Sequence, residues 1–339
     1  MTRTTRHPRV SIVTAALAAS CLLLSACGSD TTGAADDAAG DAGTTAGEAT
    51  SIEVEDNNGT HTIALPPTSV VATDNRTFET LDAWGVELTA GAVTLMPSTV
   101  SYKQDSSIVD LGSHREPNLE AVVAAQPDLI INGQRFAEFA TDFEKLAPEA
   151  VVLNLDPRED EPLDAELKRQ TTVLGSIFGK EAEAEALNAE LDAAIERAKA
   201  AYNPEQTVMG LITSGGEIGY VAPGNGRTLG PVFDILGLTP SLQTEGSEDH
   251  QGDDISVEAI ADSNPDWLLV MDRDAAVAAD DPNYSPAASV LEDSEALANV
   301  TAIQEGRIVY LPADTYTNEG IQTYTEFFAA LANALESAS

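Results

Sequence analysis

The chain has 339 residues, of which 56 are Asp or Glu and only 17 are Lys or Arg, so its formal net charge is −39 at pH 7. A field of that sign repels nucleic acids and anionic lipids, which excludes both as general partners. Both cysteines lie within the first 27 residues. The rest of the chain therefore forms no disulfide, thiol nucleophile or cysteine-ligated zinc site.

The N-terminus has the pattern of an export signal. Three arginines and no acidic residue precede a short apolar run at 10–24, which is too short to span a membrane. The Leu-Ser-Ala sequence before Cys27 resembles a bacterial lipoprotein box, so we expect removal of residues 1–26 and lipidation of Cys27. Residues 27–50 are mainly small and acidic, and they predict a flexible tether to the outer face of the cell membrane.

Residues 51–162 carry the alternating elements of a first α/β lobe. Two alternating runs around Asn57-Asn58-Gly59 predict a β-hairpin. The continuous apolar run at 128–132 is typical of a buried strand in a parallel sheet. The other predicted elements are a strand at 70–72, a helix at 78–84, a helix at 118–125, a helix ending at Leu146 and a strand at 151–155.

Residues 163–204 form the predicted connection to a second lobe at 205–339. The stretch from Leu163 to Tyr202 lacks proline and is rich in Ala, Glu and Leu, which predicts one long, stiff helix. A strand beginning at Val208 opens a second α/β series that ends in a helix at 324–335. We therefore expect an α/β fold of two Rossmann-like lobes joined by a single long α-helix.

An internal repeat relates the two lobes. Pro117–Val122 and the strand after Pro127 recur, without a gap, 138 residues later as Ile255–Ile260 and the strand after Pro265. A repeat predicts duplicated architecture and by itself says nothing about function. Its value lies in the equivalent positions that it marks in the two lobes.

Those positions include candidate binding residues on one rim of each lobe. Arg135 and Arg273 are related by the same offset and follow the two strands, and open α/β sheets bind ligands at the carboxyl ends of strands. Glu120 and Glu258 lie in the first turns of the preceding helices. A Gly-rich turn places a third cation, Arg227, before another helix, where an anion is favoured.

These residues carry a resemblance to the ferric-siderophore-binding lipoproteins of ABC importers, over nearly all of the chain beyond the signal. The matching motifs are Gly112 with Glu116–Glu120, Pro127–Ile131, Ile255–Glu258, and Asn264–Asp266 leading to Val270–Arg273. The resemblance implies a class III, or cluster A, solute-binding protein that closes only slightly on its ligand. It is closest to the subgroup that binds catecholate chelates such as petrobactin and enterobactin.

The resemblance also implies roles for individual residues. Arg135, Arg227 and Arg273 would surround an Fe(III)-siderophore, and Glu120 and Glu258 would dock the lobes onto arginines of the ABC permease. The chemistry agrees, because a ferric tris-catecholate carries three negative charges. Guanidinium groups donate paired hydrogen bonds to such oxygens and stack on aromatic rings.

Further residues are expected at the edge of this site. Tyr220, Tyr316 and Phe136 are candidate wall aromatics, and Arg115 is a candidate rim residue. His250 lies in a loop that resembles a family position able to complete an iron shell, so it is the single candidate for direct contact with the metal. We expect no intrinsic cofactor and a monomeric protein.

Three alternative functions would each require other residues. A receptor for a bare metal ion needs several histidines near carboxylates, and beyond the signal only His61, His114 and His250 are present. A haem or cobalamin receptor of the same architecture stays open, since Tyr316 or His250 could serve as an axial ligand. A secreted hydrolase is disfavoured because the chain has no Gly-x-Ser-x-Gly elbow.

Overall fold

A computed structural model describes residues 50–338, so the predicted signal, Cys27 and all of the tether except residue 50 lie outside the described residues. The first half of the described chain alternates short strands and helices. They are β1 (Ser51–Asp56), β2 (Gly59–Ala64), β3 (Val70–Ala72), α1 (Phe78–Ala83), β4 (Ala90–Gly91), β5 (Val109–Asp110), β6 (Gly112–Ser113), β7 (Glu116–Pro117), α2 (Leu119–Ala125), β8 (Leu129–Asn132), α3 (Ala140–Leu146) and β9 (Val151–Asn154), with 3-10 turns at Val93–Leu95, Ser101–Gln104 and Gln134–Phe139.

Five of these strands form a parallel sheet in the order β5-β4-β3-β8-β9. No residue of the central strands β3 and β8 is more than 3% exposed, as expected for apolar strands covered on both faces. Phe78 of α1, Val122 of α2 and Phe143 of α3 belong to the same core. The predicted hairpin is confirmed, since β1 and β2 pair in antiparallel fashion around the Asn57-Asn58 turn.

The connecting segment differs from the single helix that the sequence predicted over 163–202. Helix α4 (Leu163–Phe178) ends at Gly179, which has a left-handed φ of 64°, and α5 (Glu181–Ala201) folds back along it. Lys168 of α4 accordingly meets Asp192 of α5 at 2.5 Å. That prediction was wrong because Gly179 is a helix C-cap, a role glycine fills without steric cost.

Helix α4 alone is the connecting element. Its Leu174 and Ile177 belong to the core of the first half, whereas its Leu167 belongs to the core of the second half. A single helix anchored at two points along its length thus joins the two cores. The stiff connector is therefore α4, and α5 is part of the second half.

The second half begins after α5. Its elements are β10 (Thr207–Ser214), β11 (Glu217–Val221), α6 (Gly230–Leu236), β12 (Thr239–Pro240), β13 (Asp253–Asp254), α7 (Val257–Ser263), β14 (Trp267–Asp272), α8 (Arg273–Val277), α9 (Ala287–Glu292), α10 (Thr301–Gln304), β15 (Ile308–Tyr310) and α11 (Ile321–Ser337), with a 3-10 turn at Thr315–Thr317. The sheet order is β13-β11-β10-β14-β15, with β12 beside β10. Strands β10, β14 and β15 are parallel, and β11 runs antiparallel to β10.

The internal repeat is confirmed in three dimensions. Helices α2 and α7, and strands β8 and β14, begin 138 residues apart. The side chains of Asn118 and Ser256 cap the two helices by accepting a hydrogen bond from the backbone N–H three residues on. Both helices end at a left-handed residue, Gln126 and Asn264, with φ of 45° and 43°.

The two-sheet α/β architecture agrees with the sequence analysis. The lobe boundaries at 51–162, 163–204 and 205–339 stay a prediction. Among residues 50–338, no helix combines the length and the apolar composition needed to cross a bilayer.

Gly175 tests the close packing of α4 on α5. A Cβ atom at this position would lie 2.7 Å from the Cβ of Ala184, well inside van der Waals contact. We expect Gly175→Val to lower the free energy of unfolding by about 2–3 kcal/mol, because overpacked helices must separate. Chemical denaturation measures this, with the exposed Glu185→Val as the control. Unchanged stability in the Gly175 variant would contradict the packing.

Candidate ligand-binding cleft

A cavity of about 1280 Å³ lies between residues of the two halves. Arg76 and Arg135 border it just beyond the ends of β3 and β8, and the segment 156–164 borders it beyond the end of β9. The second half contributes the turn 224–228 and Glu319. The cavity therefore lies where α/β sheets bind ligands, outside the carboxyl ends of parallel strands.

Three arginines from separate elements converge on one aromatic ring. The guanidinium carbons of Arg135, Arg227 and Arg273 lie 5.0, 4.7 and 4.8 Å from the centroid of the Tyr316 ring. Each distance is within the range of a cation–π interaction. The three arginines that the sequence singled out are therefore brought together, and Tyr316 lies at their centre.

The backbone determines where each arginine projects. Arg135 stands in the 3-10 turn after β8, and Arg273 is the first residue of α8, directly after β14. The repeat thus places one cation at the same point of each sheet. Arg227 comes from the turn before α6, where Thr228 has a left-handed φ of 63°, a conformation that non-glycine residues rarely adopt.

The three arginines differ in their partners. Arg273 pairs with Asp274 at 2.9 Å, and Arg227 pairs with Glu319 at 3.0 Å. Arg135 donates to the Gln134 side chain at 2.7 Å and to the Tyr316 carbonyl at 2.9 Å, and it has no ion pair with a carboxylate of residues 50–338. Burial lowers its pKa, and the charge of Arg227 adds to that effect. Arg135 is thus the cation least compensated by the protein.

The phenol of Tyr316 responds to these cations. Tyr316 is only 8% exposed, and burial acts to raise its pKa. A hydrogen bond from Arg273 and the charges of Arg227 and Arg135 outweigh burial, so the pKa of Tyr316 falls below its ordinary value. The group of Arg135, Arg227, Arg273 and Tyr316, called the arginine cluster below, therefore favours negative charge at its centre.

Arg76 and Glu319 are two of several charged residues of the cleft that the sequence did not single out. Arg76 follows β3 and pairs with Asp156 at 3.2 Å, and Glu319 precedes α11. The rule that strand ends form the ligand rim could have found Arg76, because the segment Thr73–Arg76 follows an apolar strand. No local pattern marks Glu319, which reaches the cleft only through the packing of α11.

A carboxylate pair, the buried Asp74 and the partly exposed Asp156, lies beside Arg76. Asp74 is fully buried and accepts hydrogen bonds from the backbone N–H of Arg76 at 2.9 Å and from Gln170 at 2.8 Å. Asp74 and Asp156 face each other across Gly133, since a Cβ there would lie 2.8 Å from an oxygen of each. Burial raises the pKa of Asp74 to about 6, and the charge of Asp156 contributes to that rise.

The remaining predicted residues occupy different environments. Tyr220 is 2% exposed and donates to the carbonyl of Leu242, and Phe136 is fully buried against Phe139. Both therefore belong to the cores and do not line the cleft. His250 is 44% exposed beside Asp249.

The other predicted surface residues are accessible. Arg115 is exposed in the turn between β6 and β7. Burial lowers the pKa of the neighbouring His114, and the charges of Arg135 and Arg115 add to that effect, so Arg115 lies on the Arg135 side of the molecule. Glu120 and Glu258 are exposed in the first turns of α2 and α7.

The fold and the cleft define a solute-binding protein with two α/β halves and a cleft between them at which three arginines converge. Within residues 50–338, no three His, Cys, Asp or Glu side chains are grouped so that they could hold a metal ion. The sequence profile of the periplasmic binding protein family matches residues 70–315. The chain belongs to that family, which confirms the class III architecture expected from the sequence.

Individual relatives cover most of the chain. Petrobactin-binding protein YclQ of Bacillus subtilis is 29% identical over 83% of this chain and 86% of its own. Its crystal structure is similar with a TM-score of 0.71 at 25% identity, over 84% of this chain and 99% of that chain.

Two further relatives are similar to the same extent. Ferric-anguibactin-binding protein FatB of Vibrio anguillarum is 29% identical over 79% of this chain and 81% of its own. The siderophore-binding protein BauB, solved with two molecules of acinetobactin and ferric iron, is 26% identical with a TM-score of 0.71 over 84% of this chain and 98% of that chain. The family and these relatives are binding proteins, and this chain is accordingly a binding protein and not an enzyme.

The buried Asp74 predicts a pH dependence of stability. The pKa of Asp74 rises from an ordinary 3.8 to about 6 on folding, so the folded protein binds this proton more tightly than the unfolded chain. Its contribution to the free energy of unfolding therefore falls as the pH rises from about 4 to about 7. We expect Asp74→Asn to become more stable relative to wild type by about 2–3 kcal/mol over that interval.

Urea denaturation at several pH values measures this difference. Asp142→Asn, at a half-exposed side chain on α3, is the matched control, and its difference from wild type should change by less than about 0.5 kcal/mol. A difference for Asp74→Asn that is independent of pH would show that Asp74 is ionised throughout.

Proposed function

We propose that this protein is the extracytoplasmic receptor of an iron importer and that it binds an anionic Fe(III)-siderophore, of the catecholate type, at the arginine cluster. The observation that carries this proposal is the convergence of three guanidinium groups from both halves on Tyr316. In a chain of net charge −39, so many cations at one point require a cause. An anionic ligand supplies it, because Asp274 and Glu319 pair with only two of the three cations, and the repulsion on Arg135 is relieved when an anion binds.

The cluster also suits a catecholate chemically. Each guanidinium offers a planar fork of donors to the iron-bound oxygens and a flat face for the aromatic rings. The relatives support the same class, since YclQ is named for petrobactin and FatB for ferric anguibactin. The protein would supply charge and shape, and the siderophore itself would supply the iron ligands.

The haem alternative finds less support in the cleft. An axial ligand must approach iron freely, but the Tyr316 ring is enclosed by three guanidinium groups. His250 is a loop residue and does not border the cavity. An uncharged ferric hydroxamate or cobalamin would likewise leave Arg135 without an anionic partner.

The exposed carboxylates and the N-terminus complete the proposal. Glu120 and Glu258 stand at equivalent positions of the two halves, where arginines of the ABC permease could engage both at once. The lipid anchor at Cys27 would keep the monomeric receptor at the outer face of the membrane, close to that permease.

The first test is Arg135→Gln. Because Arg135 has no carboxylate partner, the substitution leaves no buried anion unpaired in the protein. We expect the affinity for a ferric tris-catecholate to fall by about 2–5 kcal/mol, roughly 30-fold to several thousand-fold. Quenching of tryptophan fluorescence in the soluble domain, from residue 50 onward, measures the dissociation constant.

The control removes the same charge elsewhere. Arg197 is exposed on α5 and pairs with Glu336, so Arg197→Gln should leave affinity within about threefold. The same titration with haem, cobalamin and an uncharged ferric hydroxamate defines the ligand class. Normal binding by the Arg135 variant, or tight binding of only an uncharged ligand, would overturn the anionic-chelate proposal.

The docking role is tested by reversing charge at both carboxylates. We expect Glu120→Lys with Glu258→Lys to keep ligand affinity within about twofold but to reduce iron import at least tenfold, because the lobes would then repel the permease arginines. The double reversal of Glu185 and Glu190, both exposed on α5, is the control. Loss of ligand affinity in the docking variant would contradict this role.

A further inference from the structure

Glu319 is a buried carboxylate that the ligand-binding proposal leaves unused. It is only 4% exposed, although an isolated buried charge is costly. Arg227 donates to it from Nε at 3.3 Å and from its terminal nitrogen at 3.0 Å, and the Thr228 hydroxyl donates at 2.5 Å. The side-chain amide of Gln134 donates to Oε2, the oxygen that also accepts from the terminal nitrogen of Arg227, in a short hydrogen bond. The donors to Glu319 thus come from both halves of the molecule.

The Glu319 carboxylate is also connected to Arg135, through hydrogen bonds of the Gln134 side chain. The Gln134 side chain gives its N–H to Glu319 and accepts a hydrogen bond from Arg135 at 2.7 Å with its oxygen. Glu319 is therefore bound directly to Arg227 and, through one intermediate side chain, to Arg135. These are the two arginines of the cluster that border the cavity.

The local backbone indicates that this arrangement is held against strain. Gln134 and Thr228 have left-handed φ values of 49° and 63°, which are unfavourable for residues other than glycine. Both residues donate to Glu319, one from each half. The carboxylate thus compensates two unfavourable conformations, each adjacent to a ligand-binding arginine.

Glu319 also determines the charge of the site. Burial acts to raise its pKa, but the charges of Arg227 and Arg76 outweigh burial and keep the carboxylate ionised. One negative charge is therefore fixed among several cations. A bound anion is attracted by the arginines and repelled by this resident charge.

We propose that Glu319 is a resident counter-ion that positions Arg135 and Arg227 and limits the charge of the ligand that the cleft accepts. This inference rests on the proposed function, in which the cleft takes an anionic ferric chelate. Repulsion by Glu319 grows with the number of negative charges on the ligand. Loss of positioning, in contrast, weakens the binding of every anionic chelate.

Two chelates with the same catecholate groups separate these effects. An Fe(III) tris-catecholate carries three negative charges, and a tetradentate Fe(III) bis-catecholate carries one. We expect Glu319→Gln to shift the ratio of the two affinities toward the tris-catecholate by at least about tenfold, because the removed repulsion is larger for that ligand. Fluorescence titration at constant pH and salt measures both dissociation constants.

Two further variants are controls. One keeps the charge of Glu319, and the other changes a carboxylate outside the arginine cluster. Glu319→Asp keeps the charge and shortens the side chain, so both affinities should fall while their ratio stays that of wild type. Glu79 accepts a hydrogen bond from Asn318 of the other half at 2.8 Å and contacts no arginine of the cluster, so Glu79→Gln should leave the ratio unchanged.

If Glu319→Gln is unstable, a variant that adds a negative charge at the site tests the same inference. Gln134→Glu adds a negative charge beside Glu319, and it should shift the ratio toward the bis-catecholate by at least about tenfold. An unchanged ratio in both charge variants would overturn the role of Glu319 as a charge filter. Failure of wild type to bind either chelate would instead overturn the proposed function, so the two failures are distinguishable.

Discussion

The structure depends on holding three like charges around one aromatic ring. Arg135, Arg227 and Arg273 all lie within 5.0 Å of the Tyr316 centroid, where mutual repulsion opposes their approach. The fold resists that repulsion because Arg227 and Arg273 are each paired with a carboxylate. Arg135 is held by a backbone carbonyl and a side-chain amide. Since these anchors are already in place, ligand binding does not carry the free-energy cost of assembling the site.

The close packing of three arginines on Tyr316 also shows how a cluster of cations can exist in so acidic a chain. Exposed charges are screened within about 8 Å at physiological ionic strength, whereas groups that are largely buried are screened much less. The largely buried arginines on Tyr316 are therefore screened less than the exposed carboxylates, some of which, such as Glu159 and Asp160, also border the cavity. The general negative field still slows the approach of an anion, so we infer that affinity in this protein comes from short-range contacts more than from long-range attraction.

Much of the architecture could be predicted from the sequence because its signals are local or repeated. The 138-residue repeat located Arg135 and Arg273, since equivalent helices and strands place equivalent residues at the sheet ends. Glu319 could not be found this way, because its partners are distant in sequence. The helix end at Gly179 was not predicted because the apolar stripe resumes beyond it. Tyr220 was wrongly predicted to line the cleft because strand patterns do not reveal which face meets the core.

The segment from Tyr316 to Gln322 joins the proposed binding site to the contact between the two halves. Its residues exchange hydrogen bonds with Arg135, Asn75, Glu79, Gln134 and Thr80 of the first half. The segment leads directly into α11, which packs on α5 and α4. A ligand that moves the arginine cluster must therefore act on the bonds that join the halves, which would transmit binding to the separation of Glu120 and Glu258.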